Sequence, residues 1–390
     1  MVSTEFPPMP GGIGRYTFNL TKGLQKIGHE VFVLCDNKGN GDFCGLSPTN
    51  KENSQILLKI ISKINPHIIH IQFKPDLYGV SLDIKNPRNS MTYLDLFYKK
   101  NTTIPIVTTF HTGYKLHQWL STSPLIKMEG RMGLSVIPLR LVIRFWKSFL
   151  SYRTFMYLLK EKLQSSNAGI MLSHHMSNLL GGGKVIYHGA EPSVFPRPSK
   201  KKARSFLSLP QDKRIALAVG FKTATKGWDI LPSIKIPNNW DIIINSSRDH
   251  YNTENHNEMK LKKNITNENK STIIDLQKGF LNDEIFSMLF YAADVVLLPY
   301  KIIGASGVMF DGLAHELPFI ASDLDFFMEF SNKGLGITTK RRPNQFSNAI
   351  KKIERDYSDY VKSINNFKSN LKWESVAKQH ESVYYSLIEK

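Results

Sequence analysis

Cysteine is almost missing from this sequence: Cys35 and Cys44 are the only two among 390 residues. That excludes a disulfide-stapled fold and suits a reducing compartment, so a cytoplasmic location is expected. Long uncharged apolar runs are missing too, and with no charge-free stretch of about 20 residues there is no candidate membrane span. The start, Met1 to Phe6, has no basic segment and runs straight to prolines, unlike a secretory signal. Acidic residues are scarce, 33 against 51 Lys and Arg, which leaves a formal net charge of +18. Such a surface attracts anions: nucleic acid, acidic lipid headgroups or phosphorylated substrates.

At about 150 residues per domain, the length predicts two or three domains, and 41% hydrophobic residues suffice for sizeable cores. Short apolar runs alternate with helical patterns: Val31 to Leu34, Ile68 to Phe73, Ile104 to Phe110, Gly169 to Ser173, Lys184 to Tyr187, Ile215 to Gly220, Asp241 to Asn245, Ser271 to Leu276, Asp294 to Pro299 and Pro318 to Ser322. Runs of that kind with helices between them argue for α/β architecture with parallel sheets. Met1 to Thr4 reads as a further, short strand. Proline and basic residues at Gly189 to Lys202 read as a linker. The expected domains are 1–190 and 200–370, each of Rossmann-like strand-helix units, followed by a segment, 371–390, whose apolar spacing predicts a helix from Trp373 to Ile388. The Asn/Lys-rich stretch from Asn252 to Lys270 reads as a loop.

Three places carry candidate chemistry. In "PPMPGGIGRY", Gly11, Gly12 and Gly14 precede a helical stripe of Ile13, Tyr16, Leu20, Leu24 and Ile27 that stops at Gly28. Glycines at a helix start let a phosphate approach backbone N–H groups, and they also fit an ordinary strand-to-helix turn. In "VGFKTATKGWDIL", Lys226 precedes Gly227 after a strand, where a helix start is expected and a lysine suits a phosphate as well as it suits solvent. In "GASGVMFDGLAHELPFIASD", a loop of small residues enters a helix, so Ser306, Gly307 and Val308 can meet an anion, and Asp311 falls one turn in.

Taken in order, the Gly-rich loop, "TFHTGY", "VIYHGAEPSVF", Lys226-Gly227, "GFLNDE" with "AADVVLLP", and the Ser306 to Ser322 segment resemble the family 4 retaining glycosyltransferases of GT-B fold. The resemblance spans nearly the whole chain, including Lys372 to Ile388, which is similar to the family's helix that returns to the N-terminal domain. It implies two Rossmann-like domains with an interdomain cleft that holds a nucleotide diphosphate sugar. It also implies that Gly11 and Gly12 approach the diphosphate, that Lys226, with Lys222 nearby, binds it, and that Ser306, Gly307 and Val308 contact the same phosphates. Asp311 matches the residue that holds the nucleotide ribose, and His111 a position near the donor sugar and reaction centre. Two positions depart from the pattern: Ile303 stands where a glutamate is usual and Phe221 where an arginine is usual. Lysine at 222 supplies charge without a bidentate fork. No Asp-x-Asp metal motif is read in the sequence, so no cofactor and no obligatory metal are expected.

Pro138 to Lys160 contains Arg140, Arg144, Lys147, Arg153 and Lys160 without an acidic residue. Arg140, Arg144 and Lys147 share a helical face, with Val142, Phe145, Trp146 and Phe149 largely away from it. This reads as a helix lying on an anionic membrane surface, on the inner face of the plasma membrane, or as a packed helix with snorkelling cations. The acceptor is expected to be a glycan or lipid-linked. The alternatives are a nucleotide-sugar epimerase or hydrolase of the same fold, or a catalytically weak basic binding protein. Nucleic acid is not expected as a partner, because the basic cluster is mixed with aliphatics.

Overall fold

The computed structural model describes residues 1–100, 103–122, 137–247, 265–266 and 272–389, with the side chains of 122, 137–141, 265–266 and 272 outside that set. The expected loop 252–270, apart from the backbone of residues 265–266, and the Arg140 side chain therefore lie outside the described residues. The chain divides into two compact units. Unit 1 comprises Met1–His188, Ile302–Ala305 and Trp373–Lys390; unit 2 comprises Gly189–Lys301 and Ser306–Lys372.

Unit 1 contains β1 (Leu34–Asp36), β2 (Phe43–Leu46), β3 (Ile69–Phe73), β4 (Val80–Ser81), β5 (Met91–Thr92), β6 (Ile106–Phe110), β7 (Ala168–Met171) and β8 (Lys184–Val185). Strands β3, β6, β7 and β8 are parallel neighbours in that order, and every residue of β3 and β6 is buried, as fits strands covered on both faces. Val2 bridges Leu34 on one side and Ile71 on the other, so Met1 to Thr4 contributes isolated bridges in place of the expected strand. The expected strand at Val31 to Leu34 is shifted to Leu34–Asp36, since the Val33 N–H donates to the Asp42 carboxylate at 2.8 Å. Strands β4 and β5 form a small antiparallel pair.

The helix Gly12–Lys26 buries Tyr16, Leu20 and Leu24 in one cluster with Val376, Ala377, Val383 and Tyr384 of the helix Trp373–Ile388. A Cβ on Gly23 would lie 2.9 Å from the Trp373 carbonyl oxygen, so glycine there permits the helices to touch.

Unit 2 is one seven-stranded sheet of β9 (Arg214–Phe221), β10 (Trp240–Ser247), β11 (Ile265–Thr266), β12 (Thr272–Asp275), β13 (Val295–Leu298), β14 (Phe319–Ser322) and β15 (Gly336–Thr339). The order is β11-β12-β10-β9-β13-β14-β15, parallel except at β11. Ile242 and Ile244 pack with Trp228, Leu231 and Phe346 in its main core. The α-helix expected after β9 is replaced by 3-10 turns, Ala224–Lys226 and Trp228–Ser233, because Gly227 is left-handed at φ +66 and Pro232 interrupts the ladder. A Cβ at Gly227 would sit 1.9 Å from the Pro299 carbonyl oxygen, so no other residue fits.

Candidate active site

In unit 2 the strand order runs outward from β9 through β10 and β12 on one side, and from its neighbour β13 through β14 and β15 on the other. That reversal is a topological switch point, where ligands of open α/β sheets bind beyond the carboxyl ends of the strands. Lys226 and Ser306 to Val308 follow those two strands. Lys226 is half-buried; its Nζ donates to the Tyr300 hydroxyl at 2.8 Å and stands 4.0 Å from the centre of that ring. Gly220, at φ +137, passes close to it: a Cβ there would lie 3.9 Å from Nζ. Lys222 is exposed, and Phe221 stacks on Phe280.

The helix Gly307–Ala314 is capped by Ser306, whose hydroxyl accepts from the Met309 N–H at 3.2 Å. The Ser306 hydroxyl is thus engaged by its own helix, while Gly307 and Val308 occupy the first positions, half-buried. Asp311 is buried in the second turn, and its carbonyl accepts a 2.7 Å hydrogen bond from Nδ1 of His315, which stacks on Phe290.

The loop bearing Lys226 is pinned by a residue that sequence reasoning missed. Arg341 donates to the carbonyls of Pro299 and Gly227, both at 2.9 Å, and to Asp229 at 2.5 Å; Lys301 also pairs with Asp229 at 2.9 Å. These two cations hold the half-exposed Asp229 carboxyl below its usual range against the opposing effect of desolvation. An Asp-x-Asp triplet, Asp323 to Asp325, also went unread: Asp323 is exposed after β14 and Asp325 opens the next helix. Among the described residues no three His, Cys, Asp or Glu side chains form a metal-holding group.

In unit 1, His111 follows β6. Its N–H donates to the Phe73 carbonyl at 3.0 Å, its Nε2 meets Gln72 Oε1 at 2.8 Å, and its ring meets Tyr16 edge-on. Burial pushes the imidazole down to about 3, with His188 and Lys74 adding to the effect, so it is neutral at pH 7. Gly304 lies against the same turn: a Cβ there would be 2.9 Å from the Thr112 Cα and 3.0 Å from the His111 carbonyl oxygen. Ile303, at the position where a glutamate is usual, is buried.

The glycine loop differs from expectation in one respect. The Ile13 and Gly14 N–H groups at the helix start are not open to an incoming anion, because the buried Glu5 carboxylate accepts from both at 3.2 Å. Gly11 is extended, at φ −177, and a Cβ on it would lie 2.3 Å from Glu5 Oε2; one on Gly14 would press the Glu5–Phe6 backbone at 3.1 Å. Gly12 is exposed, a Cβ on it would meet nothing within 4 Å, and its backbone carries no positive φ. Two of the three glycines therefore serve the packing of Glu5, and only Gly12 leaves space for a ligand.

The helix Ile137–Gln164 is anchored at its C-terminal half, where Phe155, Leu158 and Leu159 are buried and the buried Lys162 pairs with Asp95 at 3.1 Å and with Glu161. Nearer its start Val142, Ile143, Phe145 and Trp146 are 51, 46, 43 and 55% exposed, beside exposed Lys147, whereas Phe149 is half-buried. No helix of the described residues is long and apolar enough to cross a membrane.

Residues 10–180 match the family model described as Glycosyltransferase Family 4. An uncharacterized glycosyltransferase of Methanocaldococcus jannaschii is 22% identical over 419 aligned residues, covering 100% of this chain and 98% of its own. Among solved structures, sucrose-phosphate synthase from Thermosynechococcus elongatus is similar with a TM-score of 0.67 at 16% identity, over 100% of this chain and 98% of that one. HepE of Anabaena, solved in complex with UDP-glucose, reaches 0.63 at 14% identity over 99% of each chain. These likenesses show a fold of two Rossmann-like domains.

Proposed function

We propose that this chain, a glycosyltransferase of the GT-B fold, moves a sugar from a nucleotide diphosphate sugar to an acceptor with the anomeric configuration retained. The observation that carries the donor site is the position of Lys226 and Gly307–Val308 beyond the carboxyl ends of adjacent strands β9 and β13, at the reversal of strand order. A lysine and free helix-start amides there meet the diphosphate and stabilise the charge that develops on it as the glycosidic bond breaks. Lys222 adds charge at the rim, Ser306 fixes the helix start, and Asp311 takes the ribose. In unit 1, Gly12 alone of the opening glycines leaves room for a phosphate, Gly11 being held for Glu5, and His111 is proposed to meet the donor sugar. HepE of Anabaena was solved with UDP-glucose, which makes UDP-sugars the first donors to try.

The acceptor is proposed to be a glycan or lipid-linked molecule at an anionic membrane surface, reached by peripheral association. The exposed Val142, Ile143, Phe145 and Trp146 beside Lys147 support this, since an interfacial helix needs apolar side chains to bury and cations to face the headgroups. Incubation of the enzyme with a panel of nucleotide sugars and membrane extract, followed by mass spectrometry and NMR of the anomeric centre, tests both parts. A product one sugar heavier, with the donor's configuration, is expected. Release of free sugar or an epimerised nucleotide sugar as the sole product would overturn the transfer reading.

A further inference from the structure

A chain of buried polar side chains runs through the core of unit 1, and two of its acceptor-only partners, a backbone carbonyl and a thioether sulfur, orient it. His380 Nδ1 meets the Val376 carbonyl at 2.7 Å; a carbonyl only accepts, so Nδ1 carries the proton and Nε2 is the acceptor for the Tyr16 hydroxyl at 3.3 Å. Gln72 Nε2 faces the Met1 sulfur at 3.2 Å and His70 Nε2 at 3.3 Å. A thioether sulfur only accepts, which puts the amide NH2 on that side and makes His70 Nε2 an acceptor too. The Thr109 hydroxyl lies 2.7 Å from the same nitrogen, and with Nε2 unprotonated His70 Nδ1–H donates to the Tyr384 hydroxyl at 2.6 Å. The Gln72 oxygen is left pointing at His111 Nε2, 2.8 Å away, and an amide oxygen only accepts.

We propose that Gln72 is a positioning residue for His111: its amide oxygen takes the Nε2 proton, so the ring is held in one tautomer with Nδ1 as a hydrogen-bond acceptor for a hydroxyl of the sugar being transferred. Gln72 is fully buried on β3, and β3 pairs with β6, whose end carries His111, so the contact is fixed by the sheet register Gln72↔Thr109. No hydrogen bond among the described residues reaches His111 Nδ1. The charged and titratable groups around the ring are His188 and Lys74, the latter paired with Asp76 at 2.7 Å, with Tyr16 and, behind Gln72, His70. None is a carboxylate in contact with the ring, and burial holds it neutral. The role at the sugar rests on the proposal that His111 meets the donor; the tautomer does not.

Two-bond proton–nitrogen NMR of the histidine-labelled full chain at pH 7 reads the tautomer without any variant, with His111→Ala serving to assign the signal. The Nε2–H pattern is expected; an Nδ1–H ring or an imidazolium overturns the assignment to Gln72. In Gln72→Leu the ring is freed, the tautomers mix, and kcat for transfer falls on the order of tenfold, the loss of one good hydrogen bond, with KM for the nucleotide sugar little changed. In Gln72→Glu a carboxylate beside the ring favours the imidazolium, so transfer fades as pH falls from 8 to 6 while the parent stays flat across that range. Equal pH profiles for parent and Gln72→Glu would overturn the positioning role. Full transfer by His111→Ala would instead remove His111 from the sugar and leave the tautomer result standing, so the two failures are separable.

Discussion

Lys226 is the residue on which the proposed donor site most depends. Its ammonium already lies within reach of the Tyr300 hydroxyl, so the side chain is held in place before any phosphate arrives. Lys226→Ala is expected to weaken nucleotide diphosphate binding and transfer by about 1.5–3 kcal/mol, the usual worth of a hydrogen bond to a charged group. Calorimetric titration with UDP and GDP beside turnover checks it, and unchanged values would remove Lys226 from the site. The opening glycines separate in the same way. Gly11→Ala must push the Glu5 carboxylate off the Ile13 and Gly14 N–H groups, and a stability loss of roughly 1–3 kcal/mol is expected from those two charge-assisted bonds. Gly12→Val meets open space without backbone strain, so melting should stay within about 0.5 kcal/mol of the parent while transfer is lost. A Gly12→Val protein that keeps full transfer and full stabilisation by nucleotide sugar would show that these glycines only shape the chain.

At the scale of elements, the helix Ile137–Gln164 divides into an end that belongs to the fold and an end that faces outward. Its anchored half carries the buried Lys162–Asp95 pair, while the half around Trp146 leaves large apolar side chains in solvent, a cost that a covering surface removes. Replacing Arg140, Arg144 and Lys147 together by Glu should release the protein from vesicles containing anionic lipid, since about 1 kcal/mol per basic residue is available there. Phe145→Ser with Trp146→Ser should weaken attachment even to neutral vesicles. Equal sedimentation of parent and both variants with anionic vesicles would end the membrane proposal.

For the whole molecule, the buried histidines set a dependence on acid. Burial lowers His111 to about 3, His380 to about 4 and His70 well below the ordinary value, with His380 and His111 adding to the last. An unfolded histidine titrates near 6.5, so below that pH the unfolded chain binds protons that the native chain refuses. Stability contributed by these neutral rings is fully present above about 6.5 and falls as pH drops toward 4 and 3. The buried Met1 amine, pushed by burial down to about 5, adds a shallower decline that begins near pH 8, so melting temperatures should fall gently from pH 8 to 7 and more steeply between 6.5 and 5, before most carboxylates begin to protonate. A level melting temperature down to pH 5 would mean that the three rings gain protons without unfolding.

The strand-helix alternation, and with it the α/β class, was legible because a parallel strand buried on both faces must be written as an aliphatic run: Ile242 to Ile244 and Val295 to Leu298 are strands in any compact arrangement. β15, Gly336–Thr339, was missed because it is half-buried and carries two threonines where the central strands have isoleucine and valine. The segments proposed to meet the donor were also marked by local pattern, Ser306 and Asp311 by the small-residue entry to a helix and Lys226 by the glycine after a strand, although the helix expected there is a pair of 3-10 turns. The partners of those residues were not. Glu5 reaches the helix start from eight and nine residues away, Gln72 reaches His111 across a strand pair, and Arg341 reaches Gly227 from 114 residues away. Such contacts depend on strand order and register, which sequence periodicity does not encode. Periodicity says which side of an element is buried; only the folded chain decides which polar side chain the burial leaves facing which, and so which glycine faces open space, which one spares a carboxylate, and which nitrogen of His111 meets Gln72.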